Sequence, residues 1–369
     1  MKTADQIVAE DLSNIGKRLE AEFSKMAGKK LLIVGGAGFL GYYLVQAPLA
    51  WNKVSGQAPI DVTVYDNWVR GKPDWIRALQ DDPNLTLETH DVTDPMPDSA
   101  GHFDYIIHAA SIASPIYYRI YPIQTMDANV NGLRHLLDYV LAQKDAGQPL
   151  SGFLFYSTSE IYGDPTPEDI PTPETYRGNV SCTGPRACYD ESKRYGETLC
   201  VNFAQQYDLP ITIARPFNNY GPGLKISDRR VLPDFARDVF EGRDIVMLSD
   251  GSPTRTFCYI ADAIVGYFKV LVIGQPGESY NVGTDAEEVS MAKLADEVVS
   301  VASRHWGYQG KVVRETSSDK EYLTDNPNRR CPIIDKAREE LGYDPQIDFE
   351  EGLERAMFWY ADNRVAEDA

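Results

Sequence analysis

Basic residues, cysteines and histidines are scarce in this chain, and no apolar run is long enough to cross a membrane. Lys and Arg number 36 against 55 Asp and Glu, a formal charge of −19 over 369 residues. That balance disfavours nucleic acid and anionic membrane surfaces as partners. The five cysteines, at positions 182, 188, 200, 258 and 331, form no Cys-x-x-Cys and no Cys/His grouping. Neither a disulfide framework nor a metal site is therefore expected, and an odd set of sparse thiols fits a reducing cytoplasm. Membrane spanning and export are not expected either, since there is no apolar run of about 18 residues and no signal-peptide pattern. What the chain does have is 43% hydrophobic residues, enough to bury one large core and a smaller lobe.

Two constellations carry chemistry. Lys30-Leu-Leu-Ile-Val34 reads as a buried strand, and Gly35-Gly-Ala-Gly38-Phe39-Leu40-Gly41 follows it directly, ahead of a helical run from Tyr42. Strand, glycine turn and helix form the context for a pyrophosphate, with glycines for the tight turn, close approach and the seating of the helix on the strand, and a helix N-terminus for the charge. A second strand, Val62–Tyr65, ends in Asp66, followed by Asn67. An acid there accepts hydrogen bonds from an adenosine ribose and repels a 2′-phosphate, favouring NAD over NADP; nearby Arg70 and Lys72 weaken that preference a little. A third strand, Leu85 to His90, leads to Asp91 and Val92, near where an adenine is expected. The plainer alternative is a tight turn with Asp66 as a solvated acid.

In the second constellation Tyr189 and Lys193 stand four apart in a helix-forming run, which stacks both on one face. A fixed ammonium favours the phenolate and is expected to draw the phenol toward neutrality. Phe103–His108 leads into the small residues Ala109, Ala110 and Ser111, and Gly152–Tyr156 delivers Ser157, Thr158, Ser159 and Glu160. Both runs end at the carboxyl edge of a parallel sheet, where ligands bind. Simple turn capping by the hydroxyls is the competing explanation.

The glycine turn, Ser157-Thr-Ser-Glu-Ile-Tyr-Gly163, Gly184-Pro-Arg-Ala-Cys-Tyr-Asp-Glu-Ser-Lys193 and Arg215-Pro-Phe-Asn-Asn-Tyr-Gly-Pro222 together resemble the extended short-chain dehydrogenase/reductase superfamily. Within it they are most similar to the UDP-glucuronate decarboxylases. The resemblance implies a Rossmann-type, doubly wound α/β sheet with a smaller substrate lobe, and NAD as cofactor. Thr158, Ser159, Glu160, Tyr189, Lys193 and Arg330 are the implied active site. The implied cofactor contacts are Gly35, Gly38, Phe39, Leu40, Gly41, Asp66, Asn67, Asp91, Val92, Ala109 and Ser111, with Tyr189 and Lys193. Asn218 and Arg255 are implied to meet the diphosphate of a nucleotide sugar, Arg230 and Tyr259 to line its cleft, Tyr118 to reach the sugar, and Arg330 to grip a carboxylate. Dehydratases of this superfamily usually carry an acid at position 159, where this chain has Ser. The implied reaction is oxidation at C4, loss of carbon dioxide from C6, and reduction, turning UDP-glucuronate into UDP-xylose. A 4,6-dehydratase or 4-epimerase is the alternative. A non-catalytic dinucleotide sensor is the third, against which the Tyr189/Lys193 pair argues. Departures at Cys182-Thr183, Gly223 to Arg230, Cys331 and Ile333 surround the sugar and base pocket.

The resemblance divides the chain into an N-terminal extension (1–28), a dinucleotide domain (29–215 and 256–278) and an interleaved nucleotide-sugar domain (216–255 and 279–369). The extension lies outside the family pattern. Its Ile7, Val8, Leu12, Ile15, Leu19 and Phe23 recur at helical spacing, predicting an amphipathic helix that packs on its own protomer or a neighbour. The apolar helices Met126–Gln143 and Tyr189–Tyr207 are expected, by the same resemblance, to form a four-helix bundle in a homodimer.

Overall fold

The computed structural model describes residues 2–316 and 324–364; Met1 of the extension and residues 317–323 and 365–369 of the expected second lobe lie outside them. The short apolar runs of the sequence lie side by side in one parallel sheet. Its strands are β1 (Lys30–Val34), β2 (Asp61–Asp66), β3 (Leu85–Thr89), β4 (Tyr105–His108), β5 (Gly152–Tyr156), β6 (Ile211–Pro216) and β7 (Ser279–Val282). They pair in the order β7-β6-β5-β4-β1-β2-β3. In register, Val34 of β1 lies between Tyr65 of β2 and His108 of β4. The strand order reverses there, and in open α/β sheets such a switch point, at the carboxyl ends of β1 and β4 here, is where the ligand crevice lies. All residues of β4 and β5 are buried, because helices cover both faces of the sheet. The seventh strand lies just past residue 278, the expected end of the dinucleotide domain; four residues after a turn are too few to show a period.

Helices α1 (Ala4–Arg18) and α2 (Glu20–Met26) form the N-terminal extension. A reciprocal cap starts it, with Gln6 N–H donating to the Thr3 hydroxyl and Thr3 N–H donating to the Gln6 side chain. Ile7, Ile15, Leu19, Phe23 and Met26 are fully enclosed, and Phe23 meets Phe268 edge-on at 4.9 Å and Trp51 at 5.8 Å. The extension therefore packs on its own chain. Next come α3 (Gly41–Ser55), α4 (Pro122–Asp145) and α5 (Ala187–Tyr207). The last two run side by side, joined by a 2.9 Å hydrogen bond from Asn129 to Ser192. Helix α6 (Ile260–Ile273) is buried from Ile260 through Phe268 and lies under β5 and β6. The terminal helix α7 (Phe349–Asp362) is capped by Asp348, which accepts the Glu351 N–H at 2.8 Å.

Three short ladders bring the second half of the chain to the crevice. Asn219–Tyr220 pairs with Cys258–Tyr259, and Thr254–Arg255 pairs with both Val289–Ser290 and Arg329–Arg330. Tyr259 and Arg330, far apart in sequence, are placed by these two-residue strands.

Candidate active site at the carboxyl ends of the sheet

The glycine turn has the shape a pyrophosphate requires. Gly35 has φ +83°, and a Cβ there would sit 2.5 Å from the Ala110 backbone, so only glycine fits. A Cβ at Gly38 would have the Gly35 carbonyl, 3.7 Å away, as its nearest neighbour, which leaves that face open for close approach. At Gly41, the first residue of α3, a Cβ would strike the Gly36 backbone just past β1, so only glycine lets the helix start lie this close to the strand end. Gly36, within the turn, lies close against β2, where its own Cβ would come 2.7 Å from Val64. Asp66 borders the turn and accepts the Ala37 and Trp68 N–H groups at 3.0 and 2.9 Å; burial raises its pKa. Asn67 donates to Asp91 at 2.9 Å, bringing the ends of β2 and β3 together, with Val92 buried behind them. Phe39 and Leu40 are half-buried in the turn. Arg70 faces Asp228 at 3.6 Å, and Lys72 lies 5.0 Å over the Trp68 ring, so both cations near Asp66 are otherwise engaged. Ser111 and Ser157 hydroxyls are buried without a protein partner. An open glycine face, an acid at the rim and two unpartnered hydroxyls together fit a dinucleotide.

Tyr189, in the first turn of α5, has the Thr158 hydroxyl, just past β5, as a polar neighbour that favours its phenolate. Lys193 donates to the Tyr156 carbonyl at 2.7 Å and lies 5.9 Å from the Tyr189 ring centroid. The expected pull toward neutrality is not what the chain's own groups produce. Burial pushes the phenol up to about 12, outweighing the Thr158 hydroxyl and the Arg230 charge, and it pulls Lys193 down to about 7. Desolvation dominates both groups, and the ammonium is anchored on a carbonyl rather than on the phenol. Tyr118 stacks on Tyr189 at 5.1 Å with an 8° interplanar angle, its own hydroxyl buried and unpartnered.

Glu160 is the hub of a cluster that sequence reasoning only half anticipates. Its Oε2 takes Arg330 Nη2 at 2.5 Å and Arg186 Nη2 in a second close pair. Burial opposes its ionisation, but Arg186, Arg330 and Arg255 outweigh it and hold the carboxyl at about 2. Sequence reasoning assigns no role to Arg186 or to Asp190. They stand four apart, one on each side of Tyr189, with Arg186 Nε 3.8 Å from Asp190; that helical spacing is the available signal. Burial and the Glu160 charge push Asp190 up to about 8, against the pull of Arg186 and Arg330. Ser159 is buried beside them.

The nucleotide-sugar end agrees less well. Asn218 has φ +35°, and its Nδ2 is buried with no protein partner, as a ligand-facing amide would be. Arg230 pairs with Asp228 at 2.9 Å and acts electrostatically on Tyr189. Arg255 instead donates to the carbonyls of Thr254, Asn328 and Pro327 at 2.7, 3.2 and 2.6 Å. Burial and Arg330 lower it to about 9, and its fork is occupied in holding the segment that carries Arg330. Tyr259 departs from the expectation. It does not line the cleft; its hydroxyl donates to Asp11 of α1 at 2.7 Å inside the core. An aromatic two residues after a strand-like Thr-Phe reads the same whether it faces a ligand or an unforeseen helix.

A family model described as the NAD dependent epimerase/dehydratase family matches residues 31–283. The chain is 36% identical over 324 residues to UDP-glucuronic acid decarboxylase 5 of Arabidopsis thaliana, covering 88% of this chain and 87% of that protein. It is 34% identical to UDP-glucuronic acid decarboxylase 1 of Xenopus tropicalis, covering 90% and 72%. Among solved structures, an epimerase from Methanothermobacter thermautotrophicus aligns with TM-score 0.78 and 27% identity over 93% of this chain and 95% of its own. A dTDP-glucose 4,6-dehydratase from Streptomyces venezuelae, solved with NAD and TYD bound, aligns with TM-score 0.75 and 25% identity over 91% and 98%.

Proposed function

The chain belongs to the NAD dependent epimerase/dehydratase family, and from that premise we propose that it decarboxylates UDP-glucuronate to UDP-xylose through a 4-keto sugar. Its cofactor is NAD. The observation that carries the reading is Glu160, held ionised between Arg186 and Arg330 near a Tyr189 phenol that neighbours Thr158. The A. thaliana and X. tropicalis relatives bear the same activity in their names.

NAD, when bound, supplies reversible oxidation and reduction at the sugar's C4. The chain's own residues handle protons and charge. Tyr189, beside Thr158, holds and moves the proton of the C4 hydroxyl, and Lys193 sets a positive charge near the phenol whenever it is protonated. A ketone at C4 lies β to the C6 carboxylate, so the carbon–carbon bond breaks with its electron pair entering the carbonyl and carbon dioxide leaving. Arg330 keeps a buried Nε–H without a hydrogen-bond partner, which suits a carboxylate guest. Ser159 puts no second acid at the position where dehydratases of the resembled superfamily usually carry one. Asn218 offers its amide to the diphosphate, and the interleaved residues 216–255 and 279–369 carry the nucleotide sugar.

The proposal includes a homodimer built on α4 and α5, supported by the exposed Ile123, Met126 and Tyr195 on those helices. It includes a cytoplasmic location, supported by five free cysteines. No helix among the described residues is long and apolar enough to cross a membrane. A 4,6-dehydratase or 4-epimerase on another nucleotide sugar is the second reading, favoured by the structural likeness to the S. venezuelae and M. thermautotrophicus enzymes. Incubation with UDP-glucuronate decides between them: carbon dioxide release is expected, and its absence alongside turnover of UDP-glucose or dTDP-glucose would move the assignment to the second.

A further inference from the structure

A carboxylate interrupts the apolar face of α1. Ile7, Asp11 and Ile15 follow at helical spacing and all three are enclosed at 0% exposure, so Asp11 stands where packing alone calls for a hydrophobe. A buried carboxylate is tolerated only when hydrogen-bonded, and three separate elements supply the donors. Tyr43 of α3 and Tyr259 donate their hydroxyls to Oδ2 at 2.6 and 2.7 Å, and Arg355 of α7 donates to Oδ1 at 2.7 Å. Flanking bonds keep the extension in the same seam: Arg18 pairs with Asp262 of α6, Lys269 with Glu22 at 2.9 Å, and Trp51 donates to Glu20 at 2.8 Å.

The two tyrosines lead to opposite ends of the crevice. Tyr43 is in the first turn of α3, immediately after the glycine turn. Tyr259 pairs with Tyr220, and in the same ladder Cys258 N–H donates to the Asn218 carbonyl at 3.3 Å. Asn218 is the residue with a positive φ and an unpartnered buried amide.

We infer that Asp11 is a positioning residue for both nucleotide ends of the site. Through Tyr43 it sets the helix behind the glycine turn, and through Tyr259 the ladder that presents Asn218. The N-terminal extension is thus a working part of the site although it touches no reacting atom. This role rests on the assignment of NAD and a nucleotide sugar to the crevice.

Tyr43→Phe and Tyr259→Phe each delete one hydroxyl from a buried ring and keep its volume, so both fold. Asp11→Asn keeps the shape and turns one acceptor oxygen into a donor. Binding of NAD and of UDP to the full chain is titrated separately by tryptophan fluorescence, with no turnover involved. Tyr43→Phe should weaken NAD roughly three- to tenfold, the scale of one hydrogen bond, and leave UDP within about twofold. Tyr259→Phe should do the reverse, and Asp11→Asn should weaken both. General destabilisation would move the two ligands together. Equal losses for both ligands in either tyrosine variant, or unchanged binding in all three, would overturn the inference. If the wild-type chain binds NAD but not UDP, the nucleotide assignment fails, and the NAD titration of Tyr43→Phe and Asp11→Asn still decides the positioning role.

Discussion

Replacing Glu160 by Gln perturbs the charge balance on which the crevice depends. Its carboxyl is shifted from the usual 4.5 down to about 2, and at about 1.4 kcal/mol per tenfold change in the ionisation constant this corresponds to about 3 kcal/mol at neutral pH. The folded value lies below the unfolded one. This stability is therefore present above the usual 4.5 and is lost as pH falls toward about 2. The single substitution should not forfeit all of it, because Asp190 is a proton-bearing reserve at about 8. With the Glu160 charge gone, Asp190 ionises and takes over as partner of Arg186 and Arg330. Glu160→Gln should then cost about 1 kcal/mol at pH 7, and Asp190→Asn, which removes a group already neutral, less than about 0.5 kcal/mol. The double variant leaves two buried guanidiniums uncompensated and should cost about 3 kcal/mol, so the excess over the sum measures the transfer of the counter-charge. Urea unfolding followed by circular dichroism at pH 7 reads all three. A double variant costing no more than the two singles added would refute the reasoning.

Tyr189→Phe should lower turnover by roughly 10²–10⁴-fold while NAD binding, titrated by fluorescence, stays near the wild-type level, because only the proton handler is lost. Lys193 has a folded pKa of about 7, below its usual 10.5, so the unfolded chain binds its proton more tightly in between. Stability should rise with pH across that window, and Lys193→Met should flatten the rise measured by urea unfolding. Phe23→Ala, which removes a fully enclosed ring packed on Phe268, should cost about 3–5 kcal/mol in the same experiment. If the chain assembles through α4 and α5 as proposed, light scattering should find a dimer that Tyr195→Asp combined with Met126→Asp converts to a monomer; an unchanged mass would remove α4 and α5 as the interface.

The parts of this molecule legible in its sequence are those fixed by local period and spacing. Lys30–Val34 and Gly152–Tyr156 appear as strands at the expected residues, because a parallel sheet covered on both faces demands unbroken apolar runs. Tyr189 and Thr158 are neighbours because a helical turn and a strand end bring them to the same edge of the sheet. What stays hidden depends on partners distant in the chain. Tyr259 reads as a cleft residue until Asp11, 248 positions away, claims its hydroxyl. Arg255 reads as a phosphate ligand until the carbonyls of Asn328 and Pro327 fill its fork. The Tyr189 phenol does not drift toward neutrality, since spacing reveals the nearby cation but not the burial that outweighs it. Arg186 and Asp190 are in plain view as a helical pair, and only Glu160, brought in from β5, gives them a purpose.

In the proposed reaction this crevice removes the C6 carboxylate and then protonates C5. Incubation of the chain with NAD and UDP-glucuronate in heavy water, followed by mass spectrometry of the nucleotide product, reads both events at once. The expected product is a UDP-pentose lighter than substrate by one carbon dioxide and carrying one carbon-bound deuterium. A product that keeps its carboxylate, whether epimerised or dehydrated, would contradict the claim.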